Sequence, residues 1–277
     1  MTSHMIHPGP RATKRVIAVP CSPRAISGPV RKGQSVMEAV AEIFARHQCK
    51  GGVMKLHGLK LDPIHYVLPA LSTDGLHAAW YSETHTPKGC FTVKRATATV
   101  GWRHGAPFLH CHGLWQGPDG TAMGHLLPHA STIAEDGILH GVGMTEAWFE
   151  AVSDQETAFT LFSPQGAENG AGVLARLLPG EDVITAIEAL AAKFGITYAR
   201  LHAVGSIDHV VFANGQRMDC LATELHFLDA RLHAGRAEIE IEVVDITGRI
   251  MRGRLAAGHN PVGVTLELLI EPIGQDI

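Results

Sequence analysis

An α+β fold built from two tandem units, each a mainly antiparallel sheet with one helix packed on it, is predicted by three features of this 277-residue sequence. A glycine-opened amphipathic helix followed by a strand and a second glycine occurs twice. Stretches of alternating apolar and polar residues recur in both halves, as antiparallel strands with one wet face require. A segment of linker composition, Ser163 to Gly172, separates the halves. With 45% apolar and 18% charged residues the chain can build one or two cores, which excludes a disordered protein.

The elements follow in order. Arg11, Lys14, Arg15, Arg24, Arg31 and Lys32 precede the first acid, Glu38, so residues 1–31 read as a basic arm. Gly33 then opens a helix with a Ser35–Glu38 capping box and an apolar face of Val36, Val40, Ile43 and Phe44. A strand ending at Gly58 follows. Thr92 to Val100 alternates, Phe108 to Trp115 reads as a strand, and Gly117-Pro-Asp-Gly120 is a turn. In the second half Gly180 precedes a helix with Asp182 as N-cap and Gly195 as stop. The strand ending at Gly205, the alternating Glu238 to Val244, and Val262-Gly-Val-Thr265 echoing Val142-Gly-Met-Thr145 complete the second unit. The expected organisation is an arm at 1–31, a first domain at 32–163, a linker at 164–175 and a second domain at 176–277.

Composition narrows the function. Lys plus Arg number 23 against 27 Asp plus Glu, a net charge of −4 that argues against a strongly basic nucleic-acid-binding surface. The 5 cysteines form no C-x-x-C pair, which disfavours a disulfide framework or a thiolate zinc knuckle and fits a reducing compartment. No apolar run approaches the roughly 20 residues of a membrane span, and no targeting signal is read. A cytoplasmic protein is expected.

The unusual count is 18 histidines, six of them between His104 and His140. Strand alternation puts His110 and His112 on one face and Cys111 on the other. If the chain folds back about Gly117–Gly120, His112 falls opposite His125, and three imidazoles converge beside Gly124, which leaves room for close approach. Three neutral imidazoles suit zinc or another divalent transition metal, with the fourth position left for water or substrate. His129 is open as a fourth ligand, a support for one, or neither. Glu146 and Asp119 are candidate acid or base partners, and Arg103 or His104 a candidate anchor for an anionic substrate. In the second half Glu240 and Glu242 align with His110 and His112, and Arg254 with His125. A cross-strand ion pair of Arg254 with Glu242 or Glu240, and no metal, is expected there.

These motifs (Gly33-x-Ser35 and Gly180-x-Asp182 before helices, Gly205-Ser206 near a strand end, His110-x-His112 and Gly124-His125-Leu126) resemble the plant and prokaryote conserved domain, PPC or PD1-like. The resemblance covers most of Lys32 to Phe162 and again Arg176 to Pro272. It implies curved antiparallel sheets, trimeric assembly in single-domain prokaryotic members, and a metal site at the three matching histidines. Plant members carry an AT-hook and bind DNA; here the nearest approach, Arg252-Gly-Arg-Leu255, lacks the proline and lies in an expected strand. Two readings follow: a metal-dependent enzyme of hydrolase or lyase type, or small-ligand-binding protein, using His110, His112 and His125; and a DNA-associated regulator contacting phosphate through the basic arm. A homo-oligomer, a trimer or a multiple of one, is expected for either.

Overall fold

The computed structural model describes residues 4–166 and 168–274, which form a protein of mostly antiparallel sheet with two helices among the described residues, α1 (Val36–Arg46) and α2 (Val183–Lys193). Both helices begin where the capping chemistry requires. The Ser35 hydroxyl accepts from the Glu38 amide at 3.1 Å while the Glu38 carboxylate accepts from the Ser35 amide at 2.9 Å. The Asp182 carboxylate accepts from the Thr185 amide at 2.9 Å and from the Asn260 amide at 2.9 Å, tying the start of α2 to a distant loop.

Two large sheets carry most of the rest. The first runs in the order Arg24–Val30, Gly137–Met144, Gly51–Lys55, Phe91–Arg103, Ala106–Gly117, Gly120–Leu126, Tyr66–Val67. The second runs in the order Val16–Cys21, Gly172–Leu177, Val262–Pro272, Ala199–Ile207, Thr223–His233, Arg236–Asp245, Ile250–Arg254. Without the last strand of the first sheet and the first strand of the second, the two orders are the same relative to α1 and α2.

Each helix covers the outer face of its own sheet. Val36, Val40, Ile43 and Phe44 of α1 share a core with Ala96, Ala98, Leu109 and Cys111. Val183, Ile187 and Leu190 of α2 share another with Leu201, Leu225 and Ile241. A third core, including Val142, Phe149 and Phe162 with Leu174 and Leu269, joins the two sheets face to face. Alternation therefore turns Thr97, Thr99, His110 and His112, the neighbours of those α1-facing residues, toward the second sheet.

Three expectations need correction. Within the 1–31 stretch, Val16–Cys21 pairs antiparallel with Gly172–Leu177 and Arg24–Val30 pairs with Gly137–Met144, so the later half of the basic arm is largely sheet rather than a free tail. Arg15 is built in as well, its guanidinium donating to Glu156 at 2.6 Å and to Glu181 at 3.2 Å. Much of the 164–175 linker is also strand, because Thr160–Gly166 pairs with Ala147–Ser153 and Gly172 opens the next strand. The echo of Val142 and Val262 does not mark equivalent places. His140 stands opposite Lys55 and Leu269 opposite His202, so Val142 is opposite Val53 while Val262 lies at the far end, opposite Ile207.

Between the sheets lies a charge that folding does not neutralise with a carboxylate. Lys55 donates to the Thr97 hydroxyl at 2.9 Å, and burial pushes its ammonium down to about 8. Between that value and the ordinary 10.5 the unfolded chain binds a proton the folded one has released, so this group's contribution improves as pH rises through the window. Lys55→Met is expected to stabilise the protein at pH 7 by roughly 1–3 kcal/mol. The gain should fade above about pH 10, as denaturant unfolding at the two pH values would measure.

Candidate metal centre

The two-residue turn at Pro118 and Asp119 closes the hairpin with Gly117 opposite Gly120, which sets His112 opposite His125. His110, two residues away on the same face, completes the cluster. Gly124 is required by close approach: a Cβ there would lie 2.5 Å from the Val67 carbonyl oxygen on the next strand.

The second sheet fixes the imidazoles from the other side. His112 Nδ1 lies 2.9 Å from the Leu225 carbonyl oxygen, which only accepts, so Nδ1 carries the proton and Nε2 is bare. His110 Nδ1 lies 2.8 Å from Glu267 Oε1, which likewise leaves Nε2 of His110 bare. The two bare Nε2 atoms face each other at 3.0 Å, and His125 Nδ1 is 3.3 Å from Nε2 of His112. Lone pairs this close repel unless a proton or a metal ion sits between them. A tetrahedral zinc with bonds of about 2.0–2.1 Å separates its nitrogens by roughly 3.3–3.4 Å, so the donor set fits such an ion.

Electrostatics favour the ligand form. Burial holds the protonation of His112 well below the ordinary imidazole range, with His110 and His125 adding to it, and does the same to His125, with His110 adding. Glu267 is anchored by the Thr99 hydroxyl as well as by His110. Glu224, also from the second sheet, has Oε1 4.0 Å from His125 Nδ1 and a buried Oε2 with no hydrogen-bond partner. Burial raises the Glu224 carboxyl well above its ordinary range.

A cavity of about 790 Å³ opens from this cluster, lined by His110, His125, Glu267, Arg103, His129 and several aromatic side chains. Arg103 therefore shares a space with the imidazoles. Glu146 is not among the residues lining it: its carboxylate accepts from the Ser22 amide at 2.6 Å and the Thr145 hydroxyl at 2.8 Å. His104 and Asp119 lie in exposed turns.

The acids that do reach the imidazoles, Glu224 and Glu267, were not singled out from the sequence. Glu267 had a signal: it interrupts the apolar run Leu266 to Ile270, and a buried acid in such a strand needs a partner.

In the second half the expected ion pairing is altered. Arg252, not Arg254, stands opposite Glu242, while Arg254 stands opposite Glu240. The Arg252 guanidinium donates to Glu240 at 2.8 Å, and Arg254 comes within 4.0 Å of Glu238. Glu242 is engaged from across the sheets, accepting from Arg95 Nε at 3.0 Å, with His226 Nε2 3.3 Å away.

The family model of the Plants and Prokaryotes Conserved (PCC) domain matches residues 165–272. Among solved structures, a metal-containing protein from Archaeoglobus fulgidus aligns at 13% identity and a TM-score of 0.40, covering 50% of this chain and 92% of that one. A plant- and prokaryote-conserved protein from Pyrococcus horikoshii aligns at 14% identity and a TM-score of 0.38, covering 50% and 91%. A protein from Ralstonia eutropha JMP134, named as a candidate DNA-binding protein, aligns at 14% identity and a TM-score of 0.37, covering 51% and 90%. No curated protein matches the sequence.

Proposed function

We propose that this chain, a plant- and prokaryote-conserved family protein through its residues 165–272, holds one divalent transition metal, zinc foremost, on His110, His112 and His125 and acts on or binds a small molecule in the adjoining cavity. One observation carries the reading: two imidazoles whose tautomers are set by Glu267 and the Leu225 carbonyl aim bare nitrogens at a common point. When bound, such a metal supplies a Lewis acid that polarises a carbonyl or makes water a nucleophile near neutral pH, which suits a hydrolase or lyase. The chain's own residues do the rest. Glu267 keeps the proton of His110 on Nδ1. Glu224 lies buried beside His125, its Oε1 4.0 Å from Nδ1, where burial raises its carboxyl well above the ordinary range and favours a role as acid.

The repeated strand order supports two tandem copies of one unit, the second without metal because Glu242 is committed to Arg95 and His226. A homo-oligomer, trimeric or a multiple of three, belongs to the same proposal, since Ile250–Arg254 ends its sheet with one edge unpaired. Among the described residues no helix is long and apolar enough to cross a membrane.

The DNA-associated reading loses its main support at the arm, where Arg15 is in ion pairs, Arg11 reaches Glu181 and Arg24 donates to the His47 carbonyl. No retention of duplex DNA at low salt is expected; strong salt-dependent binding would favour the regulator.

Zinc titration by calorimetry tests the metal reading, with one ion per chain expected and no uptake contradicting it. Glu267→Ala frees the tautomer and orientation of His110 and is expected to weaken zinc binding about 10–100-fold while leaving the three ligands in place.

A further inference from the structure

The cavity beside the imidazoles has a polarity that names the chemistry of its occupant. Its inner end carries Glu267 together with His110 and His125. Its walls are aromatic. Trp80 and Tyr81 come from a small hairpin, Pro69–Leu71 with Ala79–Tyr81, and are 45% and 39% exposed, a large apolar surface to leave uncovered. Trp80 packs against Phe159 with ring centroids 5.3 Å apart, and Tyr81 meets His125 edge-on at 5.1 Å. Phe108 and Phe162 continue the wall.

Among the described residues, the arginine lining this space is Arg103, at the end of the Phe91–Arg103 strand. Its guanidinium stands 5.3 Å from the centre of the Phe108 ring and is in no ion pair among the described residues. An exposed guanidinium laid over an aromatic face, with its donors free, is a ready partner for a carboxylate. Glu267 is the carboxylate of this lining and Arg103 its guanidinium, so the acid group of a ligand is matched by Arg103 and its apolar body by the rings.

We infer that the cavity accepts an aromatic carboxylate, its acid group on Arg103 and its ring against Trp80 and Phe108, with the opposite end directed at the imidazoles. This rests on the small-molecule reading above, though carboxylate selection by Arg103 does not itself need the metal.

The test is calorimetric titration of 3-phenylpropionate, its methyl ester and acetate into metal-free and zinc-loaded protein. The acid is expected to bind about tenfold or more tightly than the ester, since a charge-assisted hydrogen bond is lost in the ester, and acetate to bind at least tenfold more weakly than the acid. Arg103→Ala should erase the preference for acid over ester, Arg103→Lys should keep part of it, and Trp80→Ala should weaken acid and ester alike. Retained zinc uptake in each variant reports an intact fold. Equal affinity for acid and ester in the unaltered protein, or a preference that survives Arg103→Ala, overturns the inference. Discrimination by a protein that takes up no zinc supports it while sinking the metal reading alone.

Discussion

His112→Ala is expected to abolish stoichiometric zinc binding. His112 is the central member of the cluster, 3.0 Å from His110 and 3.3 Å from His125 through the same Nε2, so its loss leaves two nitrogens that no longer close a site. The fall in affinity should exceed the roughly 10–100-fold expected for Glu267→Ala, because a ligand rather than its support is removed. A metal bound only by the folded state stabilises it by about 4 kcal/mol at a concentration 1,000 times its Kd. Zinc should therefore raise the Tm of the unaltered protein and leave that of the variant unmoved. The variant also strands the Leu225 carbonyl, so its metal-free Tm should be lower, and the response to zinc is the readout that separates the two effects. An unchanged zinc response in His112→Ala would remove the cluster from consideration.

Arg15→Ala is expected to be strongly destabilising. Arg15 and Glu156 are both largely buried, and the same guanidinium also holds Glu181 and the Pro179 carbonyl. Burial opposes both charges, yet their pairing leaves Arg15 raised and Glu156 lowered relative to their ordinary values. Removing the arginine leaves an uncompensated buried carboxylate, a loss of about 3–5 kcal/mol in denaturant unfolding. The contribution from Glu156 is present above its unfolded range and disappears as pH falls through its folded value, so the difference between variant and parent should shrink in acid. A loss below about 1 kcal/mol, the value of an exposed pair, would contradict the buried pairing of Arg15 with Glu156.

Both predictions bear on what was legible in the sequence. The hairpin carrying His110, His112 and His125 could be read because its information is local: alternation fixes the face, and a two-residue turn between Gly117 and Gly120 fixes the register. The same reasoning slipped in the second half for a physical reason. There the turn is longer, closing between Val244 and Ile250, so alignment on glycines put Arg254 where Arg252 stands. Helix starts at Ser35 and Asp182 were likewise written in local capping chemistry.

What could not be read is the contribution of one sheet to the other. Glu267 is 157 positions from the histidine it orients, and neither alternation nor turn chemistry reports which strands of two stacked sheets face each other. The same limit hid the fate of the N-terminal basic residues. Val16 to Cys21 alternates poorly and looks like a tail, but its pairing with Gly172–Leu177 makes it the outer strand of the second sheet. The candidate site is thus three candidate ligands from one half, two of them held in tautomer and orientation by the other.

X-ray absorption at the zinc edge of the reconstituted protein tests that arrangement most directly. The proposed centre calls for one zinc per chain with three imidazole nitrogens at about 2.0–2.1 Å and one further light ligand. A chain that takes up no zinc, or a spectrum showing sulfur ligation or fewer than three imidazoles, would contradict it.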